Sequence, residues 1–102
     1  MSASAPNIKN CLHLVLSRQR RALENCLAVF NDGDTLLFLD AGVMHLPALS
    51  SAAGEMQEAA FMAADLQARG LLDAAHACGF SVMGDEGFAD LLAAHEHCLS
   101  WK

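Results

Sequence analysis

Basic residues are scarce. There are six Lys and Arg in 102 residues against twelve Asp and Glu, for a formal net charge of −6. Three of the six crowd together at Arg18, Arg20 and Arg21. So few cations make no phosphate-binding face, which argues against direct, tight binding of nucleic acid. Long apolar runs are missing as well: none approaches the roughly 18 residues that a membrane helix needs. The opening MSASAPNIKN has no apolar core of a signal peptide. These absences lead us to expect a soluble, cytoplasmic chain with no membrane partner. No GxGxxG or GxxxxGKS/T turn follows a strand, so a glycine-rich nucleotide site has no support. There is no GxSxG, no internal repeat and no low-complexity segment. Nothing in the sequence calls for a cofactor.

What is abundant is apolar. Apolar residues make up 54% of the chain and charged ones only 18%. A chain of this length forms one domain with a core of its own. So much apolar surface is hard to hide in it, and a share is expected in an interface with another subunit. Residues 1–10 read as a flexible N-terminal arm ahead of a single domain over 11–102.

The run CLHLVLS (11–17) reads as a strand buried on both faces. Ser17 is placed to cap a helix over about 19–31, with Leu23, Cys26, Leu27 and Phe30 as its apolar stripe. Asn31-Asp32-Gly33-Asp34 stops that helix. TLLFLD (35–40) is a second strand, followed by a short helix or loop interrupted by Pro47. SSAAGE (50–55) is linker-like. EAAFMAA (58–64) is ambiguous, since alanine favours helix, but its length and position suit a third strand; Asp65 is read as the N-cap of a helix through LQARGLLDAAHA, with Gly70 breaking its first turns. GFSVMG (79–84) is a fourth strand, 85–96 a helix with an acidic start, and CLSW (98–101) a last strand. Strands alternating with helices imply βαβ units and a parallel sheet.

Four cysteines, Cys11, Cys26, Cys78 and Cys98, form no CxxC, and in the cytosol each is by default a reduced, small core residue. Asp32, Asp34 and Asp40 could be paired carboxylates, although turn and capping roles account for the first two. The best metal candidate joins HAC (His76, Cys78) to HEHC (His95, His97, Cys98), since Cys and His are zinc ligands and both clusters precede strands. Neither has the usual ligand spacing, and helix-end histidines with buried thiols are the plainer reading. His13, inside the first strand run, is read as a hydrogen-bonded core residue before a catalyst. Trp101 is expected to anchor the chain's end on the domain or on a partner.

Five stretches in order, LHLVLSR, ALENCL, DGDTLLFLDAGV, ADLQARGL and GFADLLAAHEHCLSW, together resemble the TusB/DsrH family of small sulfur-relay subunits. The hexamer DLQARG is the most specific of them, and the resemblance covers about residues 11–101. It implies a three-layer α/β/α domain with a five-stranded parallel sheet, DsrEFH-like. It also implies assembly with two related subunits of the same fold, TusC/DsrF-like and TusD/DsrE-like, into a heterohexamer. Such a complex passes persulfide sulfur to a small TusE/DsrC-like acceptor. It serves either 2-thiolation of a tRNA wobble uridine or dissimilatory sulfur oxidation. The principal sulfur-carrying cysteine of such complexes belongs to the TusD/DsrE-type subunit.

DsrH-type members carry a cysteine where Cys26 stands in ALENCL, so the resemblance implies Cys26 as the candidate persulfide carrier of this chain. A carrier needs a thiolate, and Arg18, Arg20 and Arg21 in the preceding turns could favour one. Its place on the apolar stripe favours packing instead. The segment GDEGF departs from the acidic residue and Tyr that often precede the Phe there, which leaves the choice of branch and acceptor open. The expectation is a non-principal subunit, structural and regulatory in role, that contributes interface. The alternatives are a sulfurtransferase acting through Cys26 and a small metal-binding or adaptor domain. Alone, the chain is expected to be poorly soluble or to self-associate.

Overall fold

The run CLHLV is apolar at nearly every position, so as a strand it needs cover on both faces. The computed structural model describes residues 9–49 and 59–102, and it supplies that cover. Strand β1 (Lys9–Val15) lies inside a five-stranded, all-parallel sheet in the order β4-β3-β2-β1-β5. The other strands are β2 (Thr35–Phe38), β3 (Ala59–Met62), β4 (Ser81–Met83) and β5 (His95–Trp101). Strands β1 to β4 step one way across the sheet, and the last connection returns the chain to the far side of β1. Its register there sets Cys11 beside His97 and Val15 beside Trp101.

One face carries helix α1 (Arg20–Ala28), a 3₁₀ turn (Asp40–His45) running into α2 (Leu46–Leu49), and α3 (Ala63–Ala68) with α4 (Leu72–Cys78). Its core joins Val15, Leu36, Phe38 and Phe61 to Leu23, Cys26, Val43 and Leu66. Phe38 and Phe61 stack with centroids 4.7 Å apart, close to the spacing at which aromatic pairs add to simple burial. The other face holds Leu12, Leu14, Leu37, Ala60 and Met62 under Phe88 and Leu91 of α5 (Asp85–Ala94). Helices on both faces of a parallel sheet make the expected three-layer α/β/α fold.

Several boundaries differ from the sequence reading, each for a local reason. Strand β1 begins at Lys9, two residues into the stretch read as an arm; residues 1–8 and the linker-like 50–55 lie outside the described residues. The helix expected after Asp65 is two helices, because Gly70 turns through φ +69°, a conformation open mainly to glycine. Asp65 is not its N-cap: α3 already starts at Ala63, and Asp65 lies in its first turn. The last helix stops at Ala94, so β5 takes in all of HEHC. Ser17 accepts the Gln19 N–H at 3.0 Å but does not cap α1, whose N-cap Gln19 makes no side-chain bond. Gly42 is required by close approach: a Cβ there would lie 1.9 Å from the Val15 carbonyl oxygen. The 3₁₀ turn is thereby seated on the end of β1.

Candidate functional site

Helix α1 buries Ala22, Leu23 and Cys26, while Leu27, expected in the same stripe, is 43% exposed. The helix therefore meets the sheet along a narrow line, and Cys26 lies on it with no exposed surface. Burial first, then the neighbouring Cys11 and Asp34, push its thiol up to about 12, which keeps the sulfur protonated at neutral pH. The arginines thought to favour a thiolate lie at the other end of α1. Six residues separate Arg20 from Cys26, a rise of about 9 Å along a helix, and the Arg20 side chain is 82% exposed beside Glu24.

Cys11 is the more open sulfur on this face. It lines a hollow of about 490 Å³ together with His13, Val29, Asn31, Asp34 and His97. Burial and the nearby Asp34 and Cys98 raise its thiol as well, against a Leu99 N–H that lowers it. Neither sulfur sits in the electropositive setting that activates a cysteine.

Behind the hollow is a buried polar chain. Trp101 Nε1 lies 3.1 Å from His13 Nδ1, and His13 Nε2 lies 2.9 Å from Asp34 Oδ2. An indole N–H only donates, so Nδ1 accepts and the ring proton sits on Nε2, donated to the carboxylate. The Asp34 carboxylate also accepts the backbone N–H groups of Asn31 and Cys11. Burial works to raise the Asp34 carboxyl, but the hydrogen bonds it accepts from His13, Asn31 and Cys11 outweigh it and hold it below its ordinary value. Both ring nitrogens of His13 are engaged, so it is a hydrogen-bonded core residue. Trp101 anchors β5 on this domain. Asp34 pairs with a histidine and not with Asp32 or Asp40.

The candidate metal ligands are not brought together. His76 and Cys78 end α4, which leads into β4 at one edge of the sheet, while His95, His97 and Cys98 belong to β5 at the other. Four strand spacings of about 4.8 Å separate those edges. His95 is buried and engaged, with Nδ1 2.6 Å from the Leu91 carbonyl and Nε2 2.9 Å from Thr35 Oγ1. Among the described residues no group of three or more His, Cys, Asp or Glu could hold a metal ion.

A second cluster, not anticipated from the sequence, lies at the C-terminal ends of β2 and β3. Asp40 turns the chain at φ +53°, unusual for a residue with a side chain. Its N–H donates to Asp65 Oδ2 at 2.7 Å, and Arg69 Nη2 donates to its Oδ1 at 3.3 Å. The Asp65 to Arg69 spacing, i to i+4, was a visible signal, since it sets an acid and a base on one side of a helical turn. Nearby, His45 Nε2–H donates to the Ser17 carbonyl at 2.8 Å and ties the 3₁₀ turn to the segment leaving β1. The stretches LFLDAGV and ADLQARGL, 25 residues apart at Asp40 and Asp65, thus meet in space.

Among the described residues no helix is long and apolar enough to cross a membrane. Comparison with curated proteins found no match. The sequence model of the family described as "DsrH like protein" matches residues 17–98, from the segment leaving β1 into the middle of β5. With four-fifths of its length so matched, on the parallel three-layer fold just described, the chain belongs to the DsrH-like family.

Proposed function

We propose that this chain is a non-principal subunit of a cytoplasmic sulfur-relay complex. It assembles with two related subunits of the same fold and helps pass persulfide sulfur to a small acceptor protein. The relay feeds either tRNA wobble-uridine 2-thiolation or dissimilatory sulfur oxidation. Membership in the DsrH-like family carries the reading, since that family supports a sulfur-relay subunit. The chemistry of the site supports the word non-principal: Cys26 is buried with its thiol pushed up to about 12, and the Cys11 thiol is raised too. A carrier needs an accessible thiolate. In this proposal Cys26 packs α1 on β1, and for it to carry sulfur α1 would have to lift from the sheet.

The test is gentle purification of the tagged chain from its own cells, with native mass and subunit composition read together. Two co-purifying chains of similar size, in a complex with two copies of each, are the expected result. Recovery alone or as a self-paired species would remove the relay assembly. The acceptor that this complex then labels with sulfur decides between the two branches.

A further inference from the structure

The C-terminal ends of β1 and β5 border an open crevice of about 540 Å³, walled in part by Ser17, Arg18, Gln19, Asp40 and Lys102. It lies where the strand order reverses, with β2 to one side of β1 and β5 to the other. Open parallel sheets take their ligands at such places, beyond the carboxyl ends of the strands.

Charge singles out this rim. The chain carries −6 overall, yet four of its six basic residues, Arg18, Arg20, Arg21 and Lys102, lie at this one end. Arg20 is beside Glu24 at 4.0 Å. Arg18, Arg21 and Lys102 form no ion pair with any of the described residues. The acid in the crevice wall, Asp40, is engaged internally: its carboxylate holds Arg69 and its N–H donates to Asp65. The placement also runs against the helix. The first turn of α1 holds Arg20 and Arg21 and no acid, although a helix N-terminus disfavours cations. In a sequence with twice as many acids as bases, a local electrostatic rule broken this way marks a place kept for something other than stability.

We propose that the crevice and its arginine rim are a docking surface for an acidic polypeptide segment of another protein. The cations are exposed and spread apart, and Asp40 stands in the wall, so a compact small anion meets no enclosed set of donors. An extended acidic segment can meet each arginine in turn. A nucleic acid would call for a longer basic track than three unpaired cations provide. The net charge sharpens the selection, because away from this rim the surface repels an acidic chain. The proposal stands on charge and shape and not on the sulfur-relay reading, so either can fail without the other.

The test is fluorescence anisotropy of a labelled decaglutamate peptide titrated with the full chain at low salt. Expected are saturable binding, loss of affinity as salt rises, and binding at least about tenfold weaker in the Arg18→Glu/Arg21→Glu variant. The double Arg→Lys variant should retain most of the affinity. Glutamate is favoured in a helix's first turn, where Arg21 stands, and Arg18 is exposed ahead of the helix, so the reversed variant keeps its fold, which circular dichroism checks. Absence of binding, or equal binding by the reversed variant, overturns the proposal. So does displacement of the peptide by inorganic phosphate or a ten-nucleotide single strand at lower concentration than by unlabelled peptide.

Discussion

The indole N–H of Trp101 reaches Nδ1 of His13 across 88 residues of sequence and 3.1 Å of space. It completes a chain that ends on Asp34, and so fastens the edge strand β5 to β1 and to the turn that opens β2. Trp101→Phe keeps most of the ring but leaves a buried imidazole nitrogen without its donor. We expect a loss of about 1–2 kcal/mol, read as a lower urea midpoint with an unchanged slope. His13→Phe together with Trp101→Phe should cost less than the two single changes added, because the polar partners leave together.

Asp34 sets the pH dependence of folding. Its carboxyl is held below the ordinary value in the folded state, so the unfolded chain binds the proton more readily. Its contribution is therefore complete above the unfolded carboxylate range, near pH ~4, and is lost as pH falls through the lower folded value. Urea midpoints measured between pH 3 and 7 should show wild type and Asp34→Asn far apart at neutral pH and converging in acid. A constant gap across that range would contradict the role given to Asp34.

Cys26 should be silent to thiol reagents. With its thiol pushed up to about 12 and no exposed surface, it is expected to remain unlabelled by iodoacetamide at pH 8 while exposed Cys98 reacts. Mild denaturant should release it together with global unfolding. Peptide mass mapping reads both. Cys26→Ser buries a hydroxyl with no partner provided for it and should cost about 1–3 kcal/mol. Rapid labelling of Cys26 in the native chain would instead favour the sulfur-carrying role.

Gly42 leaves no room for a methyl group. A Cβ 1.9 Å from the Val15 carbonyl oxygen meets backbone on a central strand, which cannot swing aside as a side chain can. Gly42→Ala should destabilise by about 3 kcal/mol or more, with the soluble yield falling in parallel. Thermal unfolding beside Gly33→Ala, whose added Cβ meets no neighbouring atom, separates this clash from the cost of a positive φ.

The order of elements and the parallel sheet were legible because the runs that form β1, β2 and β3 are short and apolar on both faces, a pattern that a covered parallel sheet satisfies. The family was legible from LHLVLSR, DLQARG and their neighbours in order. The break at Gly70 was visible in the first turns, but not that a second helix begins beyond it. The start of β5 was hidden, because AAHEHC offers no glycine or proline where helix gives way to strand. Leu27 was misplaced because a four-residue stripe assumes a wide contact, and α1 meets the sheet narrowly. Least legible were the bonds across distance. Nothing local says that Asp65 will hold Asp40 rather than cap its own helix, or that Asp34 will find His13, since a carboxylate's nearest use in sequence is not always its best in space.

The strand order carries a consequence for how the molecule comes into being. Of the described strands β1 is made before the others and β5 after them, yet they are neighbours. Until β5 arrives, one edge of β1 is open and His13 lacks its Trp101 donor. During synthesis the early strands can collect on β2 and β3, but the sheet described here is complete only when β5 returns to β1. Such non-local closure slows folding and leaves a sticky edge exposed in the meantime. A nascent chain stalled before His95 would therefore present β1 to any strand nearby, a task for chaperones rather than for partners.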